Sequence, residues 1–246
     1  MSCANTNLPE CMIRSHVGKP PVSQKIHFQI GDTPKHTISF YRSICYTIIL
    51  GKLPDTTDYI YGILHSEDYK KRFADNLSKE LPRIPCVTKA SHFWAFSQAG
   101  RDLAELHINY ESVEPYAVNF ASCELFMNQF EDKDYRVEQM KFGKKGKETD
   151  KSTVIYNHKI TMTHIPLEAY EYIVNGKPAL EWVMERQAVT THKESGIVND
   201  ANDWAIETMN EASYPLKLFQ RVITVSLETM KIVKKLPKLD IATSQS

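Results

Sequence analysis

Apolar and polar positions recur with two different periods along the chain, and the change of period organises it. From Asp58 the apolar residues Tyr59, Ile63 and Leu64 fall at helical spacing. Ser66 then stands as an N-cap ahead of Glu67 and Asp68, whose charge suits a helix N-terminus, so a further helix is predicted from Tyr69 to Glu80. Leu81-Pro82-Arg83-Ile84-Pro85 stops it, because each proline disfavours the α conformation in the residue before it. Phe93, Phe96, Leu103 and Leu106 predict a helix from about Ser91 to Asn109, weakened at Gly100 and packed on the first. Beyond Tyr135 the period shortens. Tyr135-Arg136-Val137-Glu138, Thr153-Val154-Ile155-Tyr156 and Lys159-Ile160-Thr161-Met162 alternate as half-buried strands do, and predict a small antiparallel sheet.

Helices return after the sheet. Pro166 suits the first turn of a helix reaching about Val174, with Asn175-Gly176 as its left-handed cap, and another helix covers Pro178 to Gln187. Gly196 to Asp203 reads as a turn-rich loop, and Tyr214 to Leu236 as a long final helix ended by Pro237. The fold class is therefore α+β: helices framing a small antiparallel sheet, with a long C-terminal helix, over residues 58–240. Residues 1–57 differ, because Pro20, Pro21, Pro34 and Pro54 interrupt short apolar runs and only Thr47 to Leu50 reads as a strand. That segment stays unassigned, and residues 241–246 read as a disordered tail.

Composition adds limits. With 246 residues, 42% of them hydrophobic, the chain can bury a real core. Thirty basic against thirty acidic side chains leave no chain-wide field, so any nucleic-acid surface must be local. Five widely spaced cysteines suit neither a disulfide framework nor a zinc knuckle, and point to a reducing cytoplasm. The longest apolar stretch, about Ile44 to Leu50, is too short for a membrane span, and no export signal opens the chain.

No catalytic constellation stands out among these residues. The nine histidines form no HxxxH or HExxH pair, and His65 and His107 fall in predicted helices. Gly143-Lys144-Lys145-Gly146-Lys147 lacks the earlier glycine and the following Ser or Thr of a phosphate loop. Asp55 with the distant Glu131-Asp132-Lys133 is the nearest approach to a nuclease metal site, a pattern loose enough to arise by chance. The glycine-rich loop and Pro-Pro-Tyr run of an amino-methyltransferase are missing from the sequence. No cofactor, metal or catalytic residue is expected.

What remains is local charge. Gln139 to Lys147 holds Lys141, Lys144, Lys145 and Lys147 with no acid, in a glycine-containing loop between predicted strands. Such a loop either follows a phosphate backbone or is a solvated hairpin tip, and composition does not separate the two. Lys231, Lys234, Lys235 and Lys238 end the last helix, where they complement its dipole. Arg83 between its prolines, Arg136, and the turn residues Asn199 and Asp200 are further candidate DNA contacts, although turn formation explains the Asn/Asp group equally well. Trp94, Trp182 and Trp204 suit packing as well as stacking.

Several longer runs form an ordered series: Tyr59-Ile60-Tyr61-Gly62-Ile63-Leu64-His65-Ser66, Leu81-Pro82-Arg83-Ile84-Pro85, Leu103-Ala104-Glu105-Leu106-His107-Ile108-Asn109-Tyr110-Glu111 and Tyr135-Arg136-Val137-Glu138-Gln139-Met140. The series continues through Ala169-Tyr170-Glu171-Tyr172, Asn175-Gly176-Lys177-Pro178-Ala179-Leu180-Glu181-Trp182 and Ser195-Gly196-Ile197-Val198-Asn199-Asp200. In this series the chain resembles the C-terminal specificity domain of Type ISP restriction-modification enzymes. In those single long chains a nuclease, a helicase-like ATPase and an adenine methyltransferase precede the domain that recognises the target. The resemblance implies a non-enzymatic recognition module whose partners are double-stranded DNA and a methyltransferase or helicase-nuclease chain. It spans about residues 58–240; the upstream enzymatic domains are missing, and residues 1–57 do not look like the family's usual entry into the domain. The family's DNA-contacting side chains vary with the target, so the shared motifs read as scaffold. Two alternatives stand beside this: a shortened remnant of such an enzyme, or a small hydrolase or transferase, which a deep polar pocket with a strongly shifted His, Asp or Glu would reveal.

Overall fold

Ser66 caps a helix in the way its neighbours require: its hydroxyl accepts a hydrogen bond from the Tyr69 amide. The computed structural model describes residues 54–79, 81–121 and 130–241. They divide into two units, one reaching Ile108 and taking back the chain from Leu236, the other running from Asn109 to Lys235.

The first unit is helical, with α1 (Pro54–His65), α2 (Glu67–Arg72), α3 (Ala74–Leu77) and α4 (Ala90–Ile108). The helix predicted from Tyr69 to Glu80 is broken at Phe73, whose φ of −113° leaves the helical region while its ring packs on Tyr69. Tyr59, Ile63, Tyr69 and Phe96 fill the core, and the two tyrosines also hold the proline segment. Tyr69 donates its hydroxyl to the Arg83 carbonyl at 2.9 Å and Tyr59 to that of Pro85 at 2.7 Å. Gly100, a weak point for helix propensity, is a packing requirement. A Cβ there would lie 1.7 Å from the Asp58 carbonyl oxygen, and one at Gly62 would lie 2.1 Å from that of Phe96, so α1 and α4 cross backbone against backbone. The helical histidines belong to this scaffold: Tyr61 bonds His107 Nδ1 through its hydroxyl and His65 Nδ1 through its carbonyl. Burial, then the neighbouring His65, lowers His107 to a pKa of about 4. After the last helix the chain closes the unit. Thr88 and His92 grip the Asp240 carboxylate at 2.6 and 2.7 Å, and Ile241, assigned by sequence to the tail, bridges Val87.

The second unit holds an antiparallel sheet of β1 (Asn119–Phe120), β2 (Lys141–Lys145), β3 (Glu148–Ile155) and β4 (Thr161–Thr163), ordered β1-β4-β3-β2. Val154 and Met162 face a core completed by Leu180 of α5 (Ala179–Arg186) and by Leu216, Phe219 and Ile223 of a long helix. That long helix runs from Tyr214 to Lys234, with Asp200 capping a shorter one, α6 (Ala201–Glu207), before it. Residues 216, 219, 223, 226, 230 and 233 line one stripe at helical period, and each fully buried apolar side chain among them contributes about 1.5–3 kcal/mol.

Three expectations are corrected here. Tyr135 to Glu138 is no strand: Asp132–Tyr135 is a 3-10 helix closed by a Glu131–Asp134 capping box, and side chains of Asn157 and Asn202 take up the backbone groups that a ladder would use. The helix from Pro166 ends at Glu171 as a 3-10 helix. Asn175 and Gly176, at φ 49° and 78°, instead make the tight turn between β5 (Ile173–Val174) and β6 (Lys177–Pro178). Part of the Gly196 to Asp203 loop is ordered too, as β8 (Val198–Asn199) paired with β7 (Thr190–Thr191) and as the start of α6. The predicted strand at Thr47 to Leu50 and nearly all of residues 1–57 lie outside the described residues. No helix of the described residues is long and apolar enough to cross a membrane.

Candidate nucleic-acid interface

The four lysines of the glycine-containing run occupy a β-ribbon, where the sequence suggested a loop. β2 and β3 meet at the two-residue turn Gly146-Lys147, and Gly146 supplies the left-handed φ of 68° that such a turn needs. Lys145 pairs with Glu148 and Lys144 with Thr149. Every residue from Lys144 to Thr149 is exposed.

A bulge separates this tip from the sheet. Phe142 pairs with Val154 but Gly143 pairs with Asp150, so Lys151, Ser152 and Thr153 have no partner on β2. Asp150 organises the extra residues: its carboxylate accepts from the Ser152 amide at 2.9 Å, the Ser152 hydroxyl at 2.6 Å and the Thr153 hydroxyl at 2.9 Å. The Ser152 and Thr153 bonds hold that carboxyl below its ordinary pKa. Gly143 faces the bulge, where a Cβ would lie 2.8 Å from that of Thr153. Lys151 anchors the base, with its carbonyl bonded by Tyr170, its Nζ on Glu181 at 2.8 Å, and the rings of Phe142 and Tyr170 within 5.6 Å of that nitrogen. Bulges aim what lies beyond them, and beyond this one lies cationic charge.

That charge is uncompensated by direct pairing. Lys133, Lys151, Lys159, Lys177, Lys217, Lys231 and Lys234 each meet a carboxylate. Among the described residues, no ion pair involves Lys141, Lys144, Lys145 or Lys147. Of the lysines ending the long helix, Lys231 meets Glu228 and Lys234 meets Glu171, while Lys235 and Lys238 enter no ion pair among the described residues.

The remaining candidates are placed elsewhere. Arg136 donates to Glu138 at 2.8 Å and to Asp200 at 2.6 Å, and the Asp200 side chain is only 7% exposed. Asp200 also caps α6, accepting from the Asn202 amide at 2.8 Å, and Asn202 bonds both the N–H and the carbonyl of Val137. Burial alone would raise Asp200, but hydrogen bonds from Arg136 and Asn202 outweigh it and hold the carboxyl below its ordinary range. Asn199 is exposed on β8, and Arg83 is exposed on the first unit. The three tryptophans differ as well. Trp182 donates its indole N–H to Val174 with Lys177 over its ring, Trp204 meets Tyr214 edge-on, and Trp94 is largely exposed.

Sequence reasoning missed Asp150 and Glu148. The signal for Glu148 was its place directly after the acid-free run, which a hairpin register through Gly146 carries to a position facing Lys145. Among the described residues no three His, Cys, Asp or Glu side chains group as a metal site. A hollow of about 250 Å³ beside Tyr135 and Ile206 is lined by Asp132 and Glu211. Glu211 is occupied by Lys217, whose hydrogen bond lowers its pKa, the opposite of a poised general acid.

The described residues thus form a mixed α+β scaffold from which a braced, charged ribbon projects. Residues 52–218 match the model of the Type ISP C-terminal specificity domain, and the chain belongs to that family. A specificity domain is not itself catalytic. No curated protein matches the chain. Among solved structures the chain is similar to a nuclease-deletion mutant of the Type ISP restriction-modification enzyme LlaGI in complex with a DNA substrate mimic. The identity is 40% and the TM-score 0.64, over 77% of this chain and 14% of that one. It is similar also to the ATP-dependent Type ISP enzyme LlaBIII bound to DNA, at 36% identity and TM-score 0.68, over 82% of this chain and 12% of that one. A third likeness is to DrdV in complex with DNA, at 26% identity and TM-score 0.63, over 85% of this chain and 20% of that one. The chain thus spans a fifth or less of the length of these enzymes.

Proposed function

We propose that this chain reads duplex DNA for a restriction-modification enzyme of the Type ISP kind, and that the β2–β3 ribbon follows the phosphate backbone. The observation that carries the reading is the concentration of cationic charge outside ion pairs: the ribbon's four lysines lie within seven residues and enter no ion pair among the described residues, while seven of the other nine lysines of the same unit do. Unpaired, exposed ammonium groups release counterions when they meet phosphates, which is the main source of sequence-independent affinity. LlaGI, LlaBIII and DrdV were each solved with DNA or a DNA mimic, which supports duplex DNA as the partner. Exposed Arg83 and Asn199 are the further proposed contacts. Arg136 and Asp200 serve by bracing the segment that leads into β2.

In this reading the chain positions a methyltransferase and nuclease and performs neither reaction: the isolated protein transfers no methyl group, cuts no DNA and hydrolyses no ATP. Alone it discriminates poorly between sequences, because specific binding aligns many contacts at once and part of them falls to the catalytic chain. The test is a competition titration of the full chain against labelled target and scrambled duplex at near-physiological salt. Adding the matching methyltransferase chain should raise discrimination at least about tenfold, or roughly 1.4 kcal/mol. A chain that retains no duplex even at low salt would overturn the function.

A further inference from the structure

The ribbon carries one side chain that a phosphate-tracking surface does not need. Glu148 is exposed at the tip, in register with Lys145, and like Lys145 it enters no ion pair among the described residues. A carboxylate in that position opposes the attraction of its four neighbouring lysines for phosphate. Geometry suggests what it does instead. Residues 143–150 project beyond the bulge as two strands and a tight turn, a reach of about 10 Å at roughly 3.4 Å per residue. The major groove, about 12 Å wide and 8.5 Å deep, admits a two-stranded ribbon and shows each base pair as a distinct donor–acceptor pattern, whereas the minor groove, about 6 Å wide, shows a degenerate one. Gly146 at the turn has no Cβ and open space around it, so the backbone there can approach base edges closely.

Resting on the DNA reading above, we propose that the Lys145–Glu148 pair is a specificity-determining couple that reads one G·C base pair from the major groove. Directly opposed side chains in an antiparallel pair start from Cβ atoms about 5 Å apart. One of these two only donates and the other, ionised, only accepts. A G·C pair offers the complement, acceptors N7 and O6 on guanine beside the N4 amino donor of cytosine. An A·T pair in the same orientation faces Glu148 with the O4 acceptor of thymine and is rejected; the reversed T·A pair offers O4 and N6 in the right order but puts the thymine methyl where guanine gives Lys145 its second acceptor, N7, and that difference sets G·C apart. Lys141, Lys144 and Lys147 remain for the backbone, so one ribbon divides into positioning and reading roles.

The experiment enriches a randomised duplex pool on the full wild-type chain, on Glu148→Gln, and on the exchange Lys145→Glu with Glu148→Lys. The exchange keeps net charge and cross-strand attraction but reverses donor and acceptor. Wild type should select G·C at one position by about tenfold, Glu148→Gln should lose that selection, and the exchange should prefer the opposite orientation with an unchanged salt slope. The same motif retained by both variants, or a wild-type pool with no G·C position, would overturn the couple and leave an ordinary strand-stabilising pair. Failure of wild type to retain any duplex is a separate result and would fell the DNA reading itself. Equal thermal midpoints for the three proteins tie any change in the motif to the contact.

Discussion

Two polar regions of the second unit look alike in sequence and use their groups in opposite ways. Around Asn202 the polar groups are bonded to one another and to the backbone: Asn202 copies a strand partner for Val137, Asp200 caps α6, and Arg136 closes over Asp200 from 64 residues away. At the ribbon tip, from Lys144 to Thr149, the side chains face solvent, and the four lysines enter no ion pair among the described residues. Buried polar groups repay their desolvation only when bonded, so the first region is stability. Exposed charge outside ion pairs adds little to stability and is available to a ligand, which is why the proposed function rests on the second region.

The sharpest separation should come from Asn202→Ala. It leaves a buried N–H and a buried carbonyl of Val137 unbonded, and should cost about 3 kcal/mol in urea unfolding. Replacing Lys141, Lys144, Lys145 and Lys147 together by Ala should stay within about 0.5 kcal/mol of wild type, and a large loss there would break the comparison. Acid is the next lever. The folded Asp200 carboxyl lies below its unfolded value, so its stabilisation is complete above the ordinary aspartate range and is lost as pH falls through the depressed folded value. With Arg136 partly exposed the effect should be of order 1 kcal/mol; Asp200→Asn should flatten that limb of the stability profile, and the four-lysine variant should leave it unchanged. Asp150→Ala should act more locally still, speeding hydrogen exchange at the Ser152 and Ile165 amides, which depend on the bulge, with little change at Phe219 in the core. Unaltered exchange at those two amides would show that Asp150 does not organise the bulge.

What the sequence reveals and what it hides follow from the range of the forces involved. Helices α1 and α4 and the long helix are legible because period and caps are local, as at Ser66, where donor and acceptor lie three residues apart. The chain from Tyr135 to Glu138 misleads, since its alternation is that of a strand while Asn157 and Asn202, distant in sequence, take its backbone groups. The same distance explains the candidate site. The lysines announce themselves by composition, whereas nothing local distinguishes Arg136, paired far along the chain, from a residue facing solvent. Gly100 reads as a weakness because the Asp58 carbonyl that it admits belongs to another helix. Glu148 is overlooked for a simpler reason: only a hairpin register turns the end of a charge run into a cross-strand neighbour.

The central claim is that the ribbon, and not the polar region around Asn202, meets the phosphate backbone. The most direct measurement is the slope of log affinity for random-sequence duplex against log salt, for wild type and for the four-lysine variant. Each phosphate neutralised contributes roughly 0.9 to that slope, so removing the four lysines, three of them assigned to the backbone and Lys145 to a base pair, should flatten it by up to about 3 and weaken binding to duplexes in general, with the G·C preference lost as well. An unchanged slope, or a loss confined to one sequence, would contradict the account.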